Sequence, residues 1–256
     1  MARVLITGSS EGLGLMAGQI LVQEGHEVTL HARNEQRAAD VEASLPEAAH
    51  VLVGDVSSIA GMTSVAAQAN EIGRYDAVIH NVGVGYREQA HHETADGLSH
   101  VFAINVLAPY LLSALMTPPD RLVYLSSGLH RGGNPSLSDL QWKTRAWNGL
   151  QAYSDSNLFD IVLAFAVARR WKSVLSNALE PGWVPTKMGG PGAPDDLVQG
   201  SITQAWLAVS DDAAAEVSGE YFYHQRQREC SAAARDVDVQ EGLLAACASF
   251  SGVELP

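Results

Sequence analysis

Short apolar runs alternate with longer segments of helical period along this chain. The apolar runs predict strands near 3–7, 26–31, 49–53, 76–80, 120–126, 174–180 and 219–223. The segments between them predict helices near 12–24, 34–44, 59–72, 96–116, 151–171, 196–209 and 238–250. Strands that alternate with helices form a parallel sheet covered on both faces. The pattern therefore predicts one α/β domain, with a doubly wound parallel sheet of about seven strands.

A glycine-rich turn joins the first predicted strand to the first predicted helix. It reads Thr7-Gly8-Ser9-Ser10-Glu11-Gly12-Leu13-Gly14. The first N–H groups of a helix have no partner inside the helix, and the helix dipole places positive charge at the same end. Glycine lets an anion approach the backbone because it has no Cβ. The turn is therefore predicted to bind the phosphates of a dinucleotide, and the alternative is a glycine-rich turn without a ligand.

Acidic residues outnumber basic ones, 29 against 16, so the net charge is −13. This charge disfavours nucleic acid and anionic membranes as partners. The first strand is predicted to start at residue 2 or 3, which leaves no room for a signal peptide, and no apolar stretch reaches about 18 residues. We therefore expect a cytoplasmic protein.

The cysteines and histidines show no metal-binding pattern. Cys230 and Cys247 are expected to be free thiols. His91, His92 and His100 are interpreted as surface residues, and no metal site is predicted.

An ordered set of motifs spans essentially the whole chain. The set is Thr7-Gly8-x-x-x-Gly12-x-Gly14, Asp55-Val56, Asn81-Val82-Gly83, Asn105, Ser126-Ser127, Tyr153 and Pro181-Gly182-x-Val184-x-Thr186. In order and spacing it resembles the classical short-chain dehydrogenase/reductase family, and the stretch from Trp147 to Trp171 is most similar to the retinol-dehydrogenase-like members. The resemblance implies a single NAD(P)-binding Rossmann domain over 1–256 that acts on the carbonyl or alcohol group of a small molecule.

The resemblance also implies which residues hold the cofactor. These are Thr7, Gly8, Ser9, Ser10, Gly12, Leu13, Gly14, Arg33, Asn34, Asp55, Val56, Asn81, Val82, Gly83, Tyr153, Pro181, Gly182, Val184 and Thr186. Within this set, Asp55 resembles the family's contact to the adenine ring. Asn81 either stabilises the central strands or lies beside the adenosine ribose.

The residues at the end of the second predicted strand favour NADP over NAD. An acidic residue there would hydrogen-bond the ribose 2′-OH of NAD, whereas a basic residue pairs with the 2′-phosphate of NADP. The chain has no carboxylate in His31-Ala32-Arg33-Asn34, and Arg37 follows one helical turn later. Arginine suits bidentate contact with a phosphate. The alternative for Arg33 is an ordinary solvated side chain.

Tyr153 and Ser127 resemble the family's catalytic pair. Carbonyl reduction needs an acid that protonates the new alkoxide and a second donor that orients the oxygen. Tyr153 fits the acid and Ser127 the orienting donor, because Ser126 should point to the opposite face of the strand. Asn105 resembles the asparagine that holds a proton-relay water, and the alternative is a buried capping or bridging polar group.

Asn157 departs from the family's Tyr-x-x-x-Lys motif. Residues four apart share a helix face, so a lysine at this position would lie beside the phenol and reach the nicotinamide ribose. A unit charge about 4 Å away is worth up to about 4 kcal/mol at an effective dielectric of about 20. Without that charge, Tyr153 is expected to keep its ordinary pKa and to be neutral, which favours reduction over oxidation. Lys187 either supplies the missing charge or is a solvated loop residue.

The segment 128–152 is long and rich in apolar side chains, and a second segment, 185–200, contains several glycines. The apolar residues in and near them are Leu137, Leu140, Trp142, Trp147, Leu150, Trp183 and Met188. They either form the wall of a hydrophobic substrate site, with 128–152 as a substrate-loop insertion and 185–200 as a mobile lid, or pack the insertion onto the core.

The predicted helix that carries Tyr153 is apolar almost all round from Leu158 to Val167, so it should be buried on both sides. In the family the corresponding helix packs against its copy, so we expect a homodimer or homotetramer, although the segment 128–152 could cover that face instead.

The favoured function is an NADP-dependent oxidoreductase biased towards reduction. The alternative, motivated by Asn157, is a catalytically weak NADP-binding sensor or interaction protein.

Overall fold

Eight strands form one sheet at the centre of the protein, and the computed structural model describes all of residues 1–256. The strands are β1 (Arg3–Ile6), β2 (Glu27–Ala32), β3 (His50–Val53), β4 (Ala77–His80), β5 (Arg121–Leu125), β6 (Leu175–Glu180), β7 (Tyr221–Tyr223) and β8 (Arg226–Gln227). Their order is β3-β2-β1-β4-β5-β6-β7-β8, and every pair is parallel except β7 with β8. The predicted sheet lacks only β8, because two exposed residues carry no hydrophobic period.

Helices cover both faces of the sheet. They are α1 (Gly12–Gln23), α2 (Glu35–Ser44), α3 (Ile59–Ile72), α4 (His100–Phe102), α5 (Ala108–Leu115), α6 (Gly149–Arg170), α7 (Leu197–Val209) and α8 (Val237–Ser251). One buried cluster joins the sheet to α3, α5, α6 and α8, and a second joins it to α1, α2 and α7. The predicted doubly wound, single-domain Rossmann fold is confirmed. None of the helices has both the length and the apolar character needed to cross a membrane.

The fourth predicted helix is interrupted by a π-helical turn at Ala103–Leu107, between α4 and α5. An α-helix would pair the carbonyl of Asn105 with the N–H of residue 109, which is a proline and has no N–H. The Asn105 side chain supports the turn instead. Its Oδ1 accepts from the N–H of Val84 at 2.8 Å, and its Nδ2 donates to Ser156 Oγ at 2.9 Å. The sequence pattern predicts helix here but does not reveal the change of pitch.

Both sides of α6 are buried within the chain itself. Every residue from Ala152 to Val167 except Tyr153 is buried. One side of α6 packs on β5 and β6, and the other packs against α8 and the short turn Gly128–Gly132. The apolar face that motivated a contact with a second copy is therefore covered by α8, with the start of the 128–152 segment beside it. A homodimer or homotetramer stays a prediction, but the apolar surface of α6 is no longer an argument for it.

A buried polar chain crosses from β4 to β5 beneath the ends of the strands. The His80 Nε2 lies 3.0 Å from Ser113 Oγ, which lies 2.9 Å from the Tyr124 hydroxyl. Burial lowers the pKa of His80 to about 3, and it also lowers the pKa of His31 and of His130. These histidines are neutral in the folded protein, whereas in the unfolded chain they bind a proton below about pH 6.5.

We expect the free energy of unfolding to fall as the pH drops from about 6.5, because the unfolded state takes up protons that the buried histidines do not. For His80 the loss approaches about 1.4 kcal/mol per pH unit and ends near its folded pKa. Urea denaturation between neutral pH and about pH 5 measures this slope. His80→Gln should make the slope shallower, while His50→Gln, at an exposed position, should leave it unchanged. Identical slopes in the wild type and His80→Gln would contradict the assignment.

Candidate active site

The strand order reverses between β1 and β4, and the polar residues converge above the carboxyl ends of these two strands. Ligands of open α/β sheets bind at such a reversal. Two adjoining cavities open there. The first groove, of about 530 Å³, runs from the glycine turn to Tyr153 and is called the long cleft. The second, of about 600 Å³, lies on the other side of Tyr153 and is called the side pocket.

Most of the residues that the sequence proposes for the site are brought together here. The long cleft is lined by Gly8, Ser10, Gly12, Leu13, Arg33, Asp55, Val56, Asn81, Val82, Gly83, Asn105, Tyr153, Asn157, Pro181 and Thr186. The side pocket adds Ser127, Gly182 and Val184. Four of the proposed residues line neither cavity: Thr7, Ser9, Gly14 and Asn34.

Thr7 and Asn81 tie the end of β1 to the end of β4. Thr7 Oγ1 accepts from the N–H groups of Asn81 and Val82, both at 3.1 Å. In return, Asn81 Nδ2 donates to the carbonyl oxygens of Thr7 at 3.0 Å and Gly8 at 2.9 Å. A Cβ on Gly14 would lie 2.4 Å from Asn81 Nδ2. These contacts favour a structural role for Asn81, although Asn81 also borders the long cleft.

His31 and Ser9 fix the other side of the turn. The Gly8 N–H donates to His31 Nδ1 at 3.0 Å, so the proton of the neutral ring is on Nε2, which donates to the Gly54 carbonyl at 2.8 Å. Ser9 Oγ donates to the Ile6 carbonyl and accepts from the His31 N–H, both at 2.8 Å. His31 belongs to the site, but nothing in the sequence distinguishes it from an ordinary strand residue.

The glycine turn has room and free donors for a phosphate. Gly12 begins α1 with φ +60, and a Cβ placed there would meet only Thr186 Cγ2 at 3.9 Å, so the backbone faces open space. No side chain caps the first turn of α1, because Glu11 makes no capping hydrogen bond. Gly8 has φ +62 and lies so close to β4 that a Cβ would be 2.6 Å from the Val82 Cα. The turn therefore fits the pyrophosphate of a dinucleotide.

Three cationic side chains surround the far end of the long cleft. Arg33 is exposed there, and Arg37 donates to Glu11 Oε2 at 2.6 Å. Lys187 pairs with the same Glu11 carboxylate, and these two cations lower the pKa of Glu11. The Asn34 side chain accepts from the Arg37 N–H at 3.0 Å and so caps α2. Lys187 is 78 % exposed, as the solvated-loop alternative proposes.

Tyr153 lies where the two cavities meet. Burial raises the pKa of Tyr153, and the polar side chains of Asn157 and Ser127 oppose that rise. The phenol O–H lies 3.7 Å from Met188 Sδ. Ser126 Oγ donates to the Asn157 backbone carbonyl at 2.8 Å and is buried. Ser127 is therefore the strand-end serine beside the phenol. The expectation of an ordinary Tyr153 pKa is corrected upwards, since sequence spacing does not report burial.

The Asn157 side chain turns back onto its own helix. Its Nδ2 donates to the Tyr153 backbone carbonyl at 2.7 Å. Burial is the main cause of the raised Tyr153 pKa, and the nearby carboxyl of Asp160 raises it further. Lys187 pairs with Glu11 instead of compensating for the missing lysine. Asp160 is a site residue that the sequence analysis missed, although its spacing of seven from Tyr153 places both on one helix face.

The apolar residues of the insertion divide between lining and packing. Leu150, Trp183 and Met188 line the side pocket, together with Tyr86 and Leu129, which the sequence did not single out. The remaining residues pack elsewhere, and they are Leu137, Leu140, Trp142 and Trp147.

Two of these packed residues, Trp142 and Trp147, have ring centroids 5.2 Å apart, and the Arg145 guanidinium lies 3.5 Å from the Trp142 ring. His100, interpreted from the sequence as a surface residue, is partly exposed; it also borders the long cleft, and its Nδ1 lies 2.6 Å from Glu88 Oε1.

Comparisons with known proteins agree with this arrangement. The family model described as short chain dehydrogenase matches residues 2–128. An uncharacterised oxidoreductase of Emericella nidulans is 43 % identical over 100 % of this chain and 99 % of its own length. The short-chain dehydrogenase chry4 of Gibberella zeae is 38 % identical over 100 % of this chain and 99 % of its length. Human retinol dehydrogenase 13 is 30 % identical over 99 % of this chain and 85 % of its length.

Solved structures share the fold. A protein of Mycobacterium paratuberculosis superposes with a TM-score of 0.83 and 22 % identity, covering 100 % of this chain and 95 % of that one. The Pseudomonas aeruginosa protein RhlG, solved as an NADP active-site complex, has a TM-score of 0.70 and 20 % identity, covering 87 % of this chain and 94 % of that one. The cleft, the ordered motifs and these relatives lead to one conclusion. The chain belongs to the short-chain dehydrogenase family, is similar to retinol dehydrogenases, and is an oxidoreductase acting on CH–OH or C=O groups.

Proposed function

We propose that this protein reduces the carbonyl group of an apolar small molecule with NADPH. The choice of NADPH rests on Arg33 and Arg37, which line the end of the long cleft far from Tyr153. No carboxylate lies at the end of β2. Arginine pairs with a 2′-phosphate, which NAD lacks. Two neighbours of the same fold were solved with NADP or NADPH, the RhlG protein and a blue fluorescent protein from a metagenomic library, and they support this choice.

The residues of the glycine turn and of the strand ends would hold the cofactor. The α1 N–H groups and Gly12 would bind the pyrophosphate, and Asp55 and Val56 would border the adenine. When bound, the cofactor supplies the hydride that the carbonyl carbon accepts. The pocket residues Leu150, Trp183 and Met188 would hold the apolar body of the substrate and exclude water from the reacting atoms. We propose 128–152 as the substrate loop and 185–200 as the lid over this pocket.

Tyr153 would protonate the carbonyl oxygen, and the Ser127 hydroxyl would orient that oxygen. Burial keeps the phenol protonated at neutral pH, and the absence of a cation at residue 157 acts in the same direction. A protonated phenol is an acid ready for reduction, whereas alcohol oxidation needs the phenolate as a base. The side-chain amide of Asn105 forms hydrogen bonds with the Val84 backbone and with Ser156 Oγ. We therefore propose that Asn105 is a bridging residue that holds the π-helical turn beside the site.

A catalytically weak NADP-binding sensor is the second candidate. It is favoured by Asn157, whose neutral amide donates to the Tyr153 backbone carbonyl and brings no positive charge to the phenol. Cofactor binding at the glycine turn does not depend on residue 157, so binding and turnover are separable in this chain. The two candidates differ in what a restored lysine would do.

Arg33→Ala should weaken NADPH binding about tenfold or more, because it removes a charge-assisted contact to the 2′-phosphate worth about 1.5–3 kcal/mol. NADH binding should change by less than about twofold, since NADH lacks that phosphate. Quenching of tryptophan fluorescence by each cofactor measures both constants. Arg226→Ala, at an exposed position outside both cavities, is the matched control. Equal losses for NADPH and NADH would refute the 2′-phosphate assignment.

The reduction rate should be nearly constant from pH 6 to 8, whereas the oxidation rate should rise about tenfold per pH unit, because the phenolate fraction rises by that factor below the raised pKa of Tyr153. Steady-state rates in both directions with an aldehyde and alcohol pair test this. Asn157→Lys should shift the oxidation profile to lower pH, and Tyr153→Phe should abolish both directions. Oxidation that is independent of pH would rule out Tyr153 as the base. Asn157→Lys with NADPH bound but no turnover would favour the sensor.

A further inference from the structure

Asp160 is a buried carboxyl that faces the long cleft. It lies on α6, three residues after Asn157 and seven after Tyr153, so the three side chains share one face of the helix. All three border the long cleft. Asp160 is only 5 % exposed. The active-site face of α6 therefore presents a phenol, an amide and a carboxyl in sequence towards the cleft.

The other buried carboxyls of this protein have partners within the chain. Asp155 pairs with Arg145 at 2.9 Å and accepts the Asn134 N–H at 2.7 Å. Glu180 lies 3.4 Å from both Arg131 and Arg228. Buried acids in proteins are normally paired in this way, because an isolated carboxyl loses its hydration without compensation.

Asp160 has no such partner. Burial alone raises its pKa, with no hydrogen bond and no cation to oppose the rise. The titratable groups near it are the Tyr153 phenol on α6 and the Tyr124 phenol on β5, and Asp160 raises the pKa of both. Tyr124 already bonds Ser113. The remaining direction in which Asp160 can find a hydrogen-bond donor is the cleft itself.

The cofactor proposed for the long cleft carries a suitable donor. Pyrophosphate bound at the glycine turn and a nicotinamide ring beside Tyr153 are joined by one ribose. That ribose would lie in the long cleft, whose lining includes Asn157 and Asp160. Carboxyl oxygens accept hydrogen bonds from ribose hydroxyls well, as acidic residues do at the adenosine end of many dinucleotide sites.

We propose that Asp160 binds the hydroxyls of the nicotinamide-side ribose and so positions the reactive half of the cofactor next to Tyr153. This inference rests on the proposed binding of a nicotinamide dinucleotide. In this chain, recognition of that ribose is moved one helical turn along α6, from residue 157 to residue 160. The carboxyl gains its missing partner when the cofactor binds.

Calorimetric titration of the wild type and Asp160→Val with three probes tests the proposal. NADPH and NADH share the nicotinamide ribose, so Asp160→Val should weaken both about tenfold or more. Adenosine 2′,5′-bisphosphate contains only the adenosine end, so its affinity should change by less than about twofold. Losses of equal size for all three probes, or for none, would overturn the role of Asp160. A wild type that binds neither NADPH nor NADH would overturn the proposed function as well.

Stability of the cofactor-free protein separates a ligand-binding carboxyl from a structural one. Asp160→Asn keeps the shape of the side chain and removes the buried acid, so the melting temperature should stay the same or rise. Asp155→Asn is the matched control on the same helix, and it should melt lower because it breaks the contacts to Arg145 and Asn134. A fall in melting temperature for Asp160→Asn as large as that for Asp155→Asn would contradict the proposal.

Discussion

The contact between the ends of β1 and β4 determines the rest of the site. Gly8 lies so close to Val82 that only a residue without a Cβ fits, and the reciprocal hydrogen bonds of Thr7 and Asn81 hold the two strand ends at that distance. This contact sets where the glycine turn leaves the sheet and therefore where α1 begins. The free N–H groups of α1 point into the long cleft only because the turn is fixed in this way.

Electrostatics divides the long cleft into two ends. The adenosine end has three cations, Arg33, Arg37 and Lys187, of which the last two pair with Glu11. Around Tyr153, the α6 side chains that line the cleft are the neutral Asn157 and the carboxyl of Asp160. A dinucleotide is anionic at one end and carries a neutral or cationic ring at the other, and the charges of the cleft follow the same order.

Periodicity and motif spacing predicted the fold and most of the cleft lining, because strands, helices and strand-end residues are local properties of the chain. What they did not predict depends on tertiary packing. The π-helical turn required knowing that Pro109 faces the carbonyl of Asn105, and β8 was too short to show a pattern. His31 and Asp160 appear as ordinary strand and helix residues until the fold places them beside the turn and the cleft. Whether the apolar face of α6 meets another copy also could not be decided locally, because α8 comes more than sixty residues later.

The covering of α6 by α8 has a consequence for how the catalytic helix is stabilised. A helix buried against a second subunit is stabilised by mass action, so its environment changes on dilution. Here the helix that carries Tyr153, Asn157 and Asp160 is enclosed by segments of its own chain on both sides. The contacts that bury this helix are therefore supplied by its own chain and need no second copy.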